Sequence, residues 1–188
     1  MKRFFLIYLV LLAAAPLYGQ FSLGAKVGGT FAHLQQQGDG DVAVYGWSNS
    51  YHAGLAFNVY LAHFSFGGFA VQPEASYNRK GRDGLYLSYV EAPLGLIYLL
   101  NFGSVIPYIS VTPYYAFLLS TENGRQQGGA SQSFAKNDYG VKLGGGIELR
   151  RFQISASYAW GMCNIAKGSN VALYNISTEI SLGYFFLQ

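Results

Sequence analysis

Residues 86–100, "YLSYVEAPLGLIYLL", are apolar enough to suggest a membrane segment, yet Glu91 and Pro93 lie near the centre. The run is also shorter than the roughly 20 residues that a transmembrane helix requires. Read with a period of two, it separates into a face that carries Glu91, Pro93 and Gly95 and a face of large apolar residues. Alternation at this period is typical of a β-strand. The stretch is therefore predicted to be a strand with one apolar face.

Seven further segments alternate in the same way. They are residues 21–32, 51–61, 69–78, 105–119, 138–150, 152–165 and 174–186. In each clear case the charged residues share a face with Gly, Ser and Asn, whereas Leu, Ile, Tyr and Phe occupy the other. Eight alternating segments separated by turn-forming residues predict an all-β fold of eight antiparallel strands.

The connections between these segments alternate in length. Short connections are predicted around residues 62–65, 101–104 and 150–152, and longer or polar ones at 33–49, 79–84, 120–137 and 166–170. Tight turns at one end and longer loops at the other are typical of an up-and-down transmembrane β-barrel. A soluble, lipocalin-like barrel would turn its large apolar residues inward and its charges to water, which is the reverse of this pattern. A soluble β-sandwich is the remaining alternative. We therefore predict an eight-stranded antiparallel up-and-down transmembrane β-barrel.

The N-terminus has the features of a secretory signal peptide. Lys2 and Arg3 precede an apolar run at residues 4–17, which is too short to span a bilayer. We predict a signal peptide over residues 1–19 and a barrel domain over residues 20–188, with a retained membrane anchor as the alternative. An even number of strands after a cleaved signal peptide would put the protein in the cell outer membrane with both termini periplasmic.

The composition excludes several functional classes. Charged residues make up 11% of the chain, about half of the usual fraction in soluble proteins. Without Lys2 and Arg3, ten basic residues face nine acidic ones, for a net charge of +1, and no nucleic-acid partner is expected. Three scattered histidines and a single cysteine, Cys163, have no metal-ligand spacing. No metal, no cofactor and no catalytic residue is predicted.

The candidate site is the set of charges that the alternation turns inward: Lys26, Glu74, Glu91, Lys142, Glu148, Arg150 and Glu179. Glu74 and Glu91 are expected to be close to a cross-strand pair, with Lys142 reaching towards them from a distant strand. Two adjacent carboxylates in a confined interior would need a bridging cation or a shared proton. A proton-binding or catalytic pair is one interpretation. The preferred one is a structural ion network that fills the lumen and fixes the register of the strands.

Several prolines fall within or at the edges of the predicted strands. They are Pro73, Pro93, Pro107 and Pro113. A closed barrel has no free edge to accommodate a residue that lacks a backbone donor. We expect β-bulges at Pro73 and Pro93, which would face each other across neighbouring strands.

The order of motifs along the chain resembles a known family. "VQPEASYNRKG" (71–81), "YVEAPLGLIY" (89–98), "PYISVTPYYAFLL" (107–119), "DYGVKLGGGIEL" (138–149), "SYAWGMCNI" (157–165) and "ISLGYFF" (180–186) together resemble the PorT-like outer-membrane β-barrel domain family of Bacteroidetes-type bacteria. Its Pro-Glu and Glu-x-Pro-Leu pattern maps onto Pro73-Glu74 and residues 91–94. The chain departs from the family pattern at residues 111–113 and at its C-terminal residues 186–188. The family's namesake takes part in type IX secretion, and the resemblance here implies the domain and its location, not that role.

An eight-stranded barrel is just wide enough for side chains to fill it, so a porin is not expected. We expect a non-enzymatic protein with a structural or surface-binding role, whose protein partner would bind the external loops 33–49 and 120–137. The further expected partners are outer-membrane lipid and, during biogenesis, the barrel-assembly machinery. Three different roles are also compatible with the sequence: an accessory factor of a secretion or envelope complex, a narrow solute or proton conductor, and a lipid-modifying enzyme that uses His33 or His52.

Overall fold

The alternating segments form long antiparallel strands in the computed structural model, which describes residues 21–38, 41–44, 46–82, 84–100, 103–123, 133–167 and 172–187. The strands are β1 Phe21–Gly38, β2 Asp41–Val44, β3 Ser48–Phe64, β4 Gly67–Arg82, β5 Leu85–Leu100, β6 Ile106–Asn123, β7 Ser133–Phe134, β8 Asn137–Leu149, β9 Phe152–Gly161, β10 Ala166–Lys167 and β11 Ala172–Leu187. The predicted signal peptide lies outside the described residues. Among those residues, no helix is long and apolar enough to cross a membrane.

The eight long strands close into a barrel, which confirms the predicted fold. Each pairs antiparallel with its neighbour in the order β11-β9-β8-β6-β5-β4-β3-β1, and β1 pairs in turn with β11. The closing pair joins Thr30 to Glu179 and Lys26 to Gly183. Phe21 and Leu187 consequently lie at the same end of the barrel as the tight turns, which we call the short-turn end. The opposite end is the long-loop end.

The two faces of the wall have the polarity that lipid requires. From Glu91 to Leu99 on β5, every second side chain is buried, while Ala92, Leu94 and Leu96 are exposed on the outer face. Large apolar side chains cover the outside of the other long strands in the same way. Because closure satisfies the backbone groups of the sheet, an apolar outer face and a polar interior are stable in a bilayer.

Aromatic side chains border this apolar surface at both ends. Towards the short-turn end, the ring of Phe69 lies 5.1 Å from that of Tyr98, measured between centroids, and Phe152 lies 5.1 Å from Tyr184. Towards the long-loop end, Tyr77 pairs with Tyr51 at 5.9 Å. Phe69 and Tyr77 are eight residues apart on a tilted strand, which corresponds to about 20 Å along the barrel axis. These rings form the two aromatic girdles that flank the lipid-facing band of such barrels.

The strands continue beyond the long-loop girdle, where the sequence predicted loops. β1 extends to Gly38 and pairs there with β2, β4 extends to Arg82, and β6 extends to Asn123. The predicted loop boundaries at residues 33, 79 and 120 were therefore wrong. The polar residues in these segments had led to their assignment as loops. Outside the lipid-facing band, however, a paired strand can carry polar side chains on its outer face. Residues 39–40, 45 and 124–132 of the two predicted external loops lie outside the described residues.

The expected bulges do not occur at Pro73 and Pro93, both of which lie within described strands. Pairing between β4 and β5 stops at Pro73 opposite Leu94 and resumes at Ser76 opposite Glu91 without a change of register. Pro73 therefore faces Leu94, not Pro93. Register shifts occur elsewhere, for example between Ser88 and Tyr89. A proline removes one donor from the ladder, but its φ is compatible with an extended strand, so the ladder loses bonds without gaining a residue.

Apolar side chains form a cluster inside the lumen near each end. The long-loop cluster consists of Leu34, Leu85, Leu87, Tyr89, Tyr114, Ala116, Ala159, Ile165, Ala166 and Leu173, with Leu118 and Phe134 packed against it. The short-turn cluster consists of Ala70, Ile97, Leu99 and Tyr108, with Tyr60 and Ile106 packed against it. Buried polar side chains lie at the same levels as these clusters, since Glu148 pairs with Ile106 and Asp138 with Ala116.

Candidate functional site

The centre of the lumen holds a continuous series of ion pairs. Glu91 is fully buried; its Oε1 lies 2.5 Å from Lys80 Nζ and its Oε2 lies 2.9 Å from Lys142 Nζ. Lys142 Nζ also lies 2.7 Å from Glu179 Oε2. We call Lys80, Glu91, Lys142 and Glu179 the central ion chain. Alternating charges at these distances, with charge-assisted hydrogen bonds, are the condition under which buried ions can offset their desolvation cost.

Glu74 and Glu91 do not form the expected carboxylate pair. Glu91 lies opposite Ser76 on β4, and Glu74 is nearer to the short-turn end. Glu74 Oε1 accepts a hydrogen bond from Lys26 Nζ at 2.7 Å. Because each carboxylate has its own ammonium partner, neither a bridging cation nor a shared proton is required to hold the two groups in the lumen.

Glu148 and Arg150 lie apart from the central ion chain. Glu148 is buried near the short-turn cluster, where it accepts hydrogen bonds from Gln153 Nε2 at 3.0 Å and from the Tyr60 hydroxyl at 3.2 Å. Arg150 is exposed in the tight turn after β8, with a φ of 54°. The prediction that Arg150 points into the lumen was therefore wrong, because strand alternation ends with β8 at Leu149. The other six predicted charges all face the interior.

Sequence reasoning missed two buried charges, Lys80 and Asp138. Lys80 fell in the segment assigned to a connection, but β4 continues through it and leaves its side chain fully buried. Its Nζ also lies 4.3 Å from the centroid of the Tyr114 ring. Asp138 Oδ2 accepts a hydrogen bond from Asn175 Nδ2 at 2.9 Å. Every second side chain of β4 faces the lumen, and Lys80 is the next inward position after Asn78. Extending the strand by two residues would therefore have identified it.

His52 is part of a hydrogen-bonded chain inside the lumen. Thr30 Oγ1 donates to Asn78 Oδ1 at 3.0 Å, while Asn78 Nδ2 donates to Glu179 at 2.7 Å. Since the Thr30 proton is thereby used, His52 Nδ1, 2.9 Å from Thr30 Oγ1, is the donor of that pair. His52 Nε2 lies within hydrogen-bond distance of Ser181 Oγ, at 2.8 Å.

A small cavity lies beside these groups. Its volume is about 50 Å³, and Lys26, Glu74, His52, Glu179 and Ser181 contribute to its walls. A cavity of this size and polarity has room for a few water molecules. A volume of about 50 Å³ leaves no room for a lipid beside the His52–Ser181 contact.

The remaining candidate histidine lies at the long-loop end. His33 is buried on β1, and its ring lies 4.3 Å from that of Trp47 between centroids. Within the described part of the chain, no group of three or more His, Cys, Asp or Glu side chains is placed to hold a metal ion.

Comparison with known proteins identifies one family and several similar folds. The model of the family "Outer membrane protein beta-barrel domain" matches residues 14–167. No curated protein matches the chain. The structure of the outer membrane enzyme PagL is similar, with a TM-score of 0.51 and 11% identity over 82% of this chain and 98% of that one.

Two other outer-membrane structures are similar at lower scores. Neisserial surface protein A has a TM-score of 0.43 and 15% identity over 86% of this chain and 97% of that one. OprG from Pseudomonas aeruginosa has a TM-score of 0.40 and 14% identity over 92% of this chain and all of that one. At 11% identity, the similarity to PagL indicates a shared fold alone.

Proposed function

The chain belongs to the outer membrane protein β-barrel domain family, and from this premise we propose that it is a non-enzymatic surface protein whose barrel anchors a protein-binding platform. The platform is the part of the barrel beyond the long-loop girdle, made of residues 33–38, 46–47, 79–82, 84–86, 118–123 and 133–136 with β2 and β10. The observation that carries the proposal is that these segments are held in defined positions at the long-loop end.

Backbone hydrogen bonds fix the platform. β7 pairs with β10 through Ala166 and Phe134. Ala135 N donates to Ile165 O at 2.8 Å, and Leu118 N donates to Lys136 O at 2.7 Å. The connections that follow β6 and β9 are therefore bound to each other and to the barrel rim. Binding residues tend to lie on connections that a rigid scaffold positions in this way.

The platform presents side chains suited to a protein partner. Trp47 is 54% exposed while its ring rests against His33. Arg79 pairs with Glu122 at 2.5 Å, and its guanidinium lies 4.1 Å from the centroid of the Tyr86 ring. Trp, Tyr and Arg are enriched among the residues that dominate binding energy at protein interfaces. We propose Trp47 as the principal contact residue.

The proposed orientation places the platform outside the cell and both termini in the periplasm. Phe21 and Leu187 at the short-turn end support it, because a chain exported through a signal peptide and inserted by the barrel-assembly machinery reaches the membrane from the periplasm. A role as an accessory factor of a secretion or envelope complex, as in the PorT-like family, is the second candidate. It is supported by the order of the motifs between residues 71 and 186.

Conduction and lipid modification fit the barrel less well than protein binding does. A solute or proton conductor would need a continuous path, whereas the polar cavity in the described lumen has a volume of about 50 Å³ and apolar side chains cluster near both ends. A lipid-modifying enzyme would need its reactive groups in contact with lipid. His52 and Ser181 instead face a cavity of about 50 Å³.

Site-specific photo-crosslinking in intact cells tests the proposal. A photoreactive residue replaces the exposed Lys136 on the platform or, as the matched control, the exposed Phe66 in a tight turn. We expect a protein adduct from position 136 whose yield falls several-fold when Trp47→Ala is added. Adducts from position 66 alone, or a yield at position 136 that Trp47→Ala leaves unchanged, would contradict the proposal.

A further inference from the structure

β2 forms an edge of the sheet at the long-loop end of the barrel. β1 continues beyond the long-loop girdle, where its residues 35–37 pair with β11 on one side and with β2 on the other. β2 consists of Asp41–Val44. Among the described residues it pairs with β1 alone. The sheet therefore ends there in a strand with one edge that no described strand covers.

β2 takes the place of β3 along β1. β3 pairs with β1 as far as Ser48, which lies opposite Ala32. β2 resumes pairing on the same side of β1 at Val44, which lies opposite Gln35. The two strands together form one line beside β1, of which β2 is the part furthest from the short-turn end.

β4 is the strand that would cover this edge, but it ends too early. In the ladder between β3 and β4, Asn78 lies opposite His52. The same register places Arg82, the last residue of β4, level with Ser48, the first residue of β3. β2 lies beyond that level, so it projects past the end of β4.

The open edge of β2 has properties that favour the addition of another strand. In an antiparallel pair, alternate residues turn their N–H and C=O groups away from the partner strand. Two of the four residues of β2 therefore present both groups at the open edge. Exposed edges are usually protected from pairing by lysine, proline or a bulge. The sequence of β2, Asp-Val-Ala-Val, contains neither lysine nor proline, and valine favours an extended strand.

We propose that β2 is the docking edge of the platform, to which a partner protein adds an extended segment as a further strand. Main-chain hydrogen bonds provide the affinity in this mode of recognition, and the partner needs only a segment that can become extended. Trp47 lies three residues beyond Val44 and is 54% exposed, so one partner can contact both. The inference rests on the proposed function, since β2 belongs to the platform, and it adds the class of ligand.

A second copy of the chain fits this edge less well than a different protein does. Two identical edges pair antiparallel about a two-fold axis that is perpendicular to the sheet. The barrel wall crosses the membrane, so an axis perpendicular to it lies in the membrane plane. Such an axis would invert the second barrel, whereas two copies inserted into one membrane have the same orientation. An extended segment of a different protein has no such constraint.

Photo-crosslinking in intact cells at two positions of β2 tests the added strand. A photoreactive residue replaces Val42 in one strain and Val44 in another. The two positions lie on the same face of β2, two residues apart. Mass spectrometry of the digested adducts then identifies the crosslinked residue of the partner. We expect the crosslinked residue to move by two positions along one segment of the partner, because paired strands keep a fixed register.

Proline substitution tests the backbone hydrogen bonds of the same edge. Neighbouring N–H groups of β2 point to opposite edges, so one of Val42→Pro and Ala43→Pro removes a donor from the open edge and the other removes a bond with β1. With the photoreactive residue at position 44, we expect each proline to lower the adduct yield at least fivefold. Ala43→Ser is the matched control, because it keeps the N–H group, and its yield should equal that of the wild type.

Heat-modified gel mobility establishes that the barrel of each variant is folded. A full adduct yield with either proline would overturn the added strand, and so would crosslinked residues that do not move by two positions. A Trp47-dependent adduct from position 136, without adducts from positions 42 and 44, would overturn the added strand and leave the platform function intact. Loss of adducts at all three positions would overturn both proposals. Adducts between two copies of this chain at positions 42 and 44 would overturn the added strand and assign the edge to a dimer.

Discussion

At the scale of single residues, Glu91 illustrates how this barrel tolerates charge. The carboxylate is accepted in a membrane protein because period-two alternation turns it away from lipid and into the lumen. Two ammonium groups, those of Lys80 and Lys142, then lie within 2.9 Å of its oxygens. Neither cation could be assigned to Glu91 from its own strand alone, since the two come from β4 and β8.

Removal of the Glu91 carboxylate should strongly destabilise the barrel. Glu91→Ala leaves two buried ammonium groups without their shared partner, and breaking a buried ion pair costs about 3–5 kcal/mol. We expect this loss in the free energy of unfolding, measured by urea denaturation in detergent micelles. Glu91→Gln keeps the volume of the side chain but not its charge, so it should lower the free energy of unfolding nearly as much as Glu91→Ala does.

The matched control is Glu122→Ala. Glu122 also pairs with one cation, Arg79, but its side chain is 60% exposed, and exposed pairs contribute about 0–1 kcal/mol. If Glu91→Ala and Glu122→Ala shift the unfolding midpoint equally, the central ion chain is not a major stabilising feature.

At the scale of the strands, the wall is uneven in its hydrogen bonding. β1 pairs continuously with both β3 and β11 through the middle of the lipid-facing band. The pairs formed by β5 lapse near Pro73, Pro93 and Pro113 without any change of register. The sheet therefore keeps its order of strands while losing local ladder bonds on one side of the barrel.

Hydrogen–deuterium exchange should reveal this difference. Backbone amides beside the lapses, at Ala75, Ala92 and Gly95, should exchange faster than those of Val27, Gly28 and Gly29 on β1, because local opening costs less where the ladder is incomplete. Amide-resolved NMR in micelles measures both sets at similar depths in the membrane band. Equal protection of the two sets of amides would contradict the expectation that the incomplete ladder of β5 opens more easily.

At the scale of the whole molecule, the two ends of the barrel differ. The long-loop end carries the platform, whereas both described chain ends lie at the short-turn end. Cys163, the only cysteine of the chain, lies at the long-loop end between β9 and β10. Labelling of its thiol can therefore show which end of the barrel faces the outside of the cell.

Labelling of intact cells with a membrane-impermeant maleimide should modify Cys163. Burial raises the pKa of its thiol, so the thiolate, which is the reactive species, becomes more abundant as the pH rises, and labelling should be faster at pH 8 than at pH 7. The control is Cys163→Ser with Ser104→Cys in a tight turn, which should react only after permeabilisation. The reverse pattern would invert the proposed orientation.

The barrel and most of its interior could be predicted because period-two alternation is local. Six of the seven predicted charges face the lumen, since each lies within a long strand. Arg150 was misplaced because the sequence does not mark the residue at which β8 ends. Lys80 was missed because its polar neighbours resemble a loop, although the strand continues through them. The pairing of Glu74 with Lys26 could not be predicted, since it depends on the register of non-adjacent strands.

The sequence by itself determined the class of fold, the number of long strands and the face on which six of the seven predicted charges lie, because these follow from the alternation of side chains along an extended chain. Only the tertiary structure decided that Lys26 pairs with Glu74 and Lys80 with Glu91, where apolar side chains cluster in the lumen, and how the prolines are accommodated. Those features depend on strand register and on the stagger of the closed sheet. Barrel closure brings Lys142 of β8 to Glu91 of β5, two strands that do not pair with each other.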